Sequence, residues 1–295
     1  MRDESPWATT LSEHEAALDR VRDRVLDGAV LGPGQRVLDL GAGTGLLTFG
    51  ALPRVAPTGS VVALDRDAGC LDEISRRAAA RDLLGAEVLV AAASAEALPL
   101  ADCAVDAVVV RSVLVYVADR ERAAREIARV LKPGGRLSIY EPLPGLMREA
   151  PAPSWQPVWA IRLALERLIS EQRSSARHRP AADLTASGLA DLLGQAGLED
   201  VAIATVSSAK APPTDPAAHF DLLRLPGNPA PDDPRWHTRL RMRFSEADLR
   251  AYVEHAVAEA RRGRYRIVLP AFFLRARKPD GLARGRWRPG GMPGC

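Results

Sequence analysis

The residues with the clearest chemical potential are three glycines, Gly41, Gly43 and Gly45, spaced by single residues in RVLDLGAGTGLLTFG, with Asp39 just before them. A glycine loop between a strand and a helix lets backbone approach a ligand closely and offers it the unpaired amides of the helix N-terminus. The dinucleotide-binding fingerprint is G-x-G-x-x-G, whose third glycine permits close helix packing. Here residue 46 is Leu and the spacing is G-x-G-x-G, which is not the nicotinamide pattern. Asp65 closes the apolar run VVALD, near the offset of about 20 residues at which a carboxylate meets a ribose hydroxyl pair. A ribose is therefore expected in the ligand.

Further candidates lie downstream. Glu141 ends RLSIYE at the carboxyl edge, where open α/β sheets bind ligands; it is read either as a catalytic base or as a structural partner of a neighbouring loop. Trp155, Trp159, Leu163 and Leu165 could roof an apolar pocket or simply pack a helix on its core. His178 in SSARHRPAAD and His219 in PAAHFDLL fall in the two segments expected to cover a pocket, and are candidates for touching substrate. Cys70, Cys103 and Cys295 lack metal-ligand spacing, so no metal is expected.

The elements that must hold these residues alternate. An N-terminal helix is expected to open at Ser12 and Glu15, which stand in capping-box register. Strand-like runs RVLDL, SVVALD, AEVLVA, VDAVVVR and RLSIYE then alternate with helical segments, two of them opening on Asp. Strands apolar on both faces, alternating with helices, indicate an α/β fold with a doubly wound, mostly parallel sheet. Proline-rich stretches follow, then the helix-turn-strand unit around Gly197, a helix from Ser245 to Arg262, and a last strand in RYRIVLPAFFLRARK. The expected organisation is one domain over residues 1–278. Its core covers about 30–142, 183–207 and 264–278, with lid insertions at about 143–182 and 208–263, and residues 279–295 form a disordered tail.

VLDLGAGTG, VVALD, SAEALPLADCAVDAVVV and REIARVLKPGGRLSIYEP together resemble the class I S-adenosylmethionine-dependent methyltransferases, in particular the ubiquinone and menaquinone C-methyltransferases. The resemblance covers about residues 30–142, with weaker similarity at LADLLGQAGLEDVAI and FFLRARKP. It implies a seven-stranded Rossmann-like sheet with helical lids and S-adenosyl-L-methionine as cofactor. Asp39 and the loop Gly41, Ala42, Gly43, Thr44 and Gly45 would surround the cofactor's amino-acid part and Asp65 would bind its ribose, with Arg66 also among the cofactor-binding residues. Ser94 and Ala95 would lie against the adenine. Relatives commonly have Asp where Ser94 stands, and a hydroxyl can still accept one hydrogen bond. Arg111 matches a position that often faces the methionyl group, and Tyr116 one that often faces substrate.

The expected activity is methyl transfer to a small molecule, an apolar or aromatic metabolite if the tryptophans form a lid. The alternative is a cofactor-binding, non-methylating enzyme of the pericyclase kind. With 40 basic against 37 acidic residues, no nucleic-acid footprint is present. No apolar run reaches the roughly 18 residues of a membrane span, and the absence of a leader pattern suggests a cytoplasmic protein.

Overall fold

In a computed structural model, the described residues are 6–146, 148–149, 158–174, 183–210, 215–217 and 236–281. The chain runs α1 (Pro6–Ala29), β1 (Arg36–Leu40), α2 (Leu46–Val55), β2 (Ser60–Asp65), α3 (Ala68–Ala79), β3 (Glu87–Ala92), β4 (Val105–Arg111), α4 (Arg120–Val130), β5 (Leu131–Pro142) and β6 (Arg148–Glu149). It continues with α5 (Trp159–Ser174), α6 (Ala186–Gln195), β7 (Glu199–Lys210), α7 (Trp236–Arg241), α8 (Glu246–Arg261) and β8 (Ile267–Arg277).

Helix starts follow side-chain chemistry. Asp67 accepts the N–H of Gly69 at 2.8 Å ahead of α3, and Asp119 accepts that of Arg122 at 2.9 Å ahead of α4. Each satisfies an amide that the first helical turn leaves without an intrahelical partner. Ser245 and Asp248 cap α8 reciprocally. The N-terminal expectation is corrected: α1 already runs from Pro6, so Ser12 and Glu15 lie inside it. Proline is well accepted in a first helical turn, and WATTL after it contains no helix breaker, so an S-x-x-E match recurs mid-helix without marking a start.

The chain divides into two compact units. The first comprises residues up to Glu141, Thr185–Thr205 and those from Phe272 onward. Its sheet has the order β3-β2-β1-β4-β5-β8, with β7 beside β8, and the pairs from β3 to β5 are parallel. The reversal of chain order between β1 and β4 makes this a doubly wound sheet with its ligand crevice at the carboxyl ends of those strands. Val37, Leu38, Val108, Val109 and Val110 are wholly buried, as strands covered on both faces require. Val25, Leu26 and Ala29 of α1 and Leu47, Ala51 and Val55 of α2 pack together over Val37, Val61, Ala107 and Val109. A side chain the size of Leu26 contributes about 1.5–3 kcal/mol when fully buried. β3, at the sheet edge, departs from the two-sided burial read from its sequence: Leu89 is 43% and Val90 39% exposed.

The second unit spans Pro142–Leu184 and Val206–Ala271. Its core joins Val158, Ile161 and Leu165 of the α5 region to Leu240, Leu249, Tyr252, Val253 and Val257. β6 pairs antiparallel with Ile267 and Val268 of β8. Glu259 is buried there and is held by Arg262 at 3.1 Å and Arg264 at 2.5 Å, the pairing that a desolvated carboxylate needs. No described helix is long and apolar enough to cross a membrane.

Candidate cofactor site

The glycine loop leaves β1 and enters α2 with all three glycines in the left-handed region, at φ 70°, 53° and 88°. Each does a different job. A Cβ on Gly41 would lie 2.2 Å from Val113 Cγ2, so its absence lets the β4 loop close down. One on Gly45 would meet the Phe49 ring at 2.7 Å. One on Gly43 would meet nothing within 4 Å. Gly43 is therefore the point where bare backbone faces open space, as close approach to a ligand demands. Gly45 is also the N-cap of α2 and supplies no side-chain cap.

Two carboxylates brace this loop from below. Asp65 accepts the N–H of Gly43 at 2.7 Å and that of Asp67 at 3.0 Å, one on each oxygen. Each oxygen keeps a lone pair for a hydroxyl donor. Asp39 is 1% exposed and accepts the Thr48 hydroxyl at 2.6 Å and the Thr48 amide. Burial pushes its carboxyl up to about 6, against the pull of Thr48 and of the Arg111 charge, and the nearby Asp65 charge adds to the rise. Asp39 thus ties β1 to the first turn of α2. Arg66 and Thr44 are on the loop's exposed rim, Ala42 is buried, and the Arg77 guanidinium binds the Thr44 carbonyl from outside.

Ser94 and Ala95 follow β3, with Ala95 buried. The Ser94 hydroxyl accepts the Glu96 amide at 3.3 Å and donates to the Glu96 carboxylate at the same distance. Glu96 in turn accepts the Asp119 N–H at 3.0 Å. Glu126 accepts the Leu98 N–H at 2.7 Å and holds Arg129, which reaches the Leu98 and Leu100 carbonyls. Glu96, Glu126 and Arg129 therefore fix the 94–102 segment, and none stands out in the sequence alone. For Glu96 alone a signal exists, the SAEALP run, in which an acidic residue follows a loop serine by two.

Arg111 ends β4, opposite Tyr140 of β5 in the parallel register. Its charge acts on Asp39, Tyr116 and Tyr140, so it is the cation at the centre of this edge. Glu141 is wholly buried, and its oxygens accept the N–H groups of Val113 and Leu114 at 2.8 Å and of Val115 at 3.2 Å. It anchors the loop after β4, the structural alternative read from its position. A carboxylate so enclosed has no open face for a substrate proton. Burial pushes its carboxyl up to about 7. Tyr116, on that anchored loop, is 53% exposed, and desolvation and the Glu141 charge raise its pKa against the pull of Arg111.

Of the remaining candidates, Trp159 is 62% exposed and Leu163 39% exposed, whereas Leu165 is buried in the second unit's core. α5 therefore turns Ile161 and Leu165 inward and leaves Trp159 outward. Trp155, His178 and His219 lie outside the described residues. Among the described residues no cluster of His, Cys, Asp and Glu could hold a metal.

Residues 38–139 match the methyltransferase domain family. A ubiquinone/menaquinone biosynthesis C-methyltransferase of Hahella chejuensis is 38% identical over 116 residues, 39% of this chain and 46% of that relative. The chain thus matches less than half the length of that relative. Among solved structures, the YcgJ protein of Bacillus subtilis aligns with a TM-score of 0.54 at 20% identity, over 88% of this chain and 98% of that one. A geranyl diphosphate methyltransferase aligns at 0.56 with 16% identity, over 94% and 92%. The loop geometry, strand order and matched segment agree: residues 38–139 match the methyltransferase domain family and are similar to the corresponding part of the ubiquinone/menaquinone C-methyltransferases.

Proposed function

We propose that the chain transfers a methyl group from S-adenosylmethionine to a small-molecule acceptor of apolar or aromatic character. The observation that carries the proposal is the open backbone at Gly43, framed by Asp39 and Asp65, at the switch point of the sheet. The residues present fit the cofactor: Gly41 to Gly45 and Arg111 would hold its amino-acid end, Asp65 with Arg66 its ribose, and Ser94 with Ala95 its adenine. When bound, the cofactor supplies a methyl group already activated on a sulfonium, so the protein's task is alignment and exclusion of water.

Glu141 contributes by positioning, since it holds the loop that carries Tyr116. Tyr116, half exposed on that loop, is the residue assigned to contact acceptor. Its elevated pKa suits a hydroxyl that donates a hydrogen bond rather than a base that removes a proton. Support for an apolar acceptor comes from the named role of the Hahella relative in ubiquinone/menaquinone biosynthesis, which also favours carbon as the methylated atom.

The test is incubation with methyl-labelled S-adenosylmethionine and a panel of phenolic, quinol and polyprenyl acceptors. Label in a product establishes transfer and class of acceptor together. Binding of the cofactor with no label in any acceptor or extract component would sink the transferase reading, and failure to bind S-adenosylhomocysteine would sink the site.

A further inference from the structure

Away from the glycine loop, the face of the first unit's sheet formed by β5, β8 and β7 is open beside α1, leaving a groove of about 430 Å³. That size falls in the range of small-molecule pockets, roughly 300–1,000 Å³. Its lining includes Arg24, Ser138, Ala202, Ala204, Phe273 and Arg275, none of which belongs to the cofactor site. A continuation passes Val30 and Arg136.

Three observations give the groove a chemistry. First, the Arg24 guanidinium lies 4.0 Å over the Phe273 ring, which makes a flat wall with a fixed positive charge. Second, Ser138, 3% exposed, lines the groove. Its hydroxyl can donate one hydrogen bond to a ligand there. Third, Arg24, Arg136 and Arg275 make no ion pair with an acid among the described residues, so their charges are available to a ligand, whereas Arg54, beside the groove at Asp27, and Arg277, in its continuation, are paired. Asp27, the acid in the wall, is engaged by Arg54 at 2.6 Å. The groove is thus apolar at its floor and positive at its rim, its acids being held by other arginines, Asp27 by Arg54 and, in the continuation, Asp200 by Arg277.

We infer that this groove is a second binding site, separate from the cofactor loop, for a small organic anion with a flat apolar body. The floor and the Arg24–Phe273 wall take the body, Ser138 donates to it, and Arg275 with Arg136 takes the carboxylate, sulfonate or phosphate. The chain's own C-terminal stretch is a poor occupant, because residues 282–295 carry Arg284, Arg286 and Arg288 and no acidic side chain.

The experiment is fluorescence titration of the full chain with 8-anilinonaphthalene-1-sulfonate, alongside the uncharged N-phenyl-1-naphthylamine. The expected results are saturable binding of the sulfonate, about tenfold weaker binding after Arg24→Ala with Arg275→Ala, and loss of binding in Ala204→Trp, which fills the floor. S-adenosylhomocysteine affinity, read by calorimetry, should be the same in all forms. Should Ala204→Trp disturb that affinity, the exposed arginine pair decides alone. No saturable sulfonate binding, or binding indifferent to the arginine pair, overturns the inference. Equal affinity for the neutral probe overturns the anionic character assigned to the ligand.

Discussion

Glu141→Gln exchanges the buried anchor of the β4 loop for an amide of the same shape, and two opposing effects decide the outcome. Burial disfavours the charged carboxylate, whereas the amides of Val113, Leu114 and Val115 favour it. Three such donors can by themselves hold a carboxyl below its usual range. At complete burial the desolvation cost is the larger, and the carboxyl stands at about 7 against 4.5 in the unfolded chain. Between those values the folded protein keeps a proton that the unfolded chain has released. The stability this contributes is present in full below pH 4.5 and is lost as pH rises through about 7. At about 1.4 kcal/mol per pH unit, the gap amounts to roughly 3 kcal/mol.

Glutamine has no such dependence. Its oxygen can still accept from Val113 and Leu114, which share Oε1, while its NH2 faces the Val115 N–H. That conflict costs about 1–3 kcal/mol at every pH. From pH 4.5 to 8 the stability difference should therefore move by roughly 3 kcal/mol in favour of the variant. Because the chain has two compact units, the assay is urea unfolding read by pulsed hydrogen exchange of peptides from β4 and β5, not by a whole-chain signal. A difference that stays constant with pH, or moves against the variant, refutes the reasoning and means that the three amides outweigh burial.

Gly43→Ala should fold with a loss of about 1–2 kcal/mol from backbone strain yet lose cofactor affinity, whereas Gly41→Ala, facing Val113, should lose more stability; thermal unfolding and calorimetry separate the two. Thr48→Val removes the hydroxyl that Asp39 accepts and should cost about 1–3 kcal/mol, with the loss growing above pH 6, where Asp39 ionises, and shrinking below it. Ser245→Ala breaks the capping box of α8 and should cost about 1 kcal/mol, leaving S-adenosylhomocysteine affinity unchanged by titration.

What was legible in the sequence is what depends on neighbours along the chain. The glycine spacing, the caps at Asp67, Asp119 and Ser245, and the alternation of apolar runs all act within a few residues, and the parallel sheet follows from them. The bracing of the site does not. Glu141 meets amides 26 to 28 residues away, Glu126 meets Leu98 across 28, and Lys132 pairs with Asp106 across 26. No local period announces such contacts, and a buried carboxylate looks the same in sequence whether it acts on substrate or holds a loop. β3 shows the converse limit, since an apolar run reads as doubly covered while its place at the sheet edge is set by strand order alone.

The acidic framing of the glycine loop also selects the charge of its ligand. In a phosphate-binding loop the glycine amides point at the anion; here the Gly43 amide is already donated to Asp65, and Asp39 lies close enough to feel the Asp65 charge. A unit charge ~6 Å from one carboxylate interacts by about 3 kcal/mol at an effective dielectric of ~20, favourably for a cation and unfavourably for an anion. A pyrophosphate is thus penalised where a sulfonium is favoured, which agrees with the G-x-G-x-G spacing. The same sign separates S-adenosylmethionine from S-adenosylhomocysteine, whose sulfur is neutral. Asp65→Asn keeps the shape of the side chain and removes its charge, so both ligands should lose the ribose hydrogen bond's charge-assisted component, and only the methionine should lose the Coulombic part. Calorimetric titration of both ligands is expected to show the larger loss for S-adenosylmethionine. Equal losses would mean that Asp65 reads the ribose alone and that the sulfonium is accommodated without help from the loop's acids.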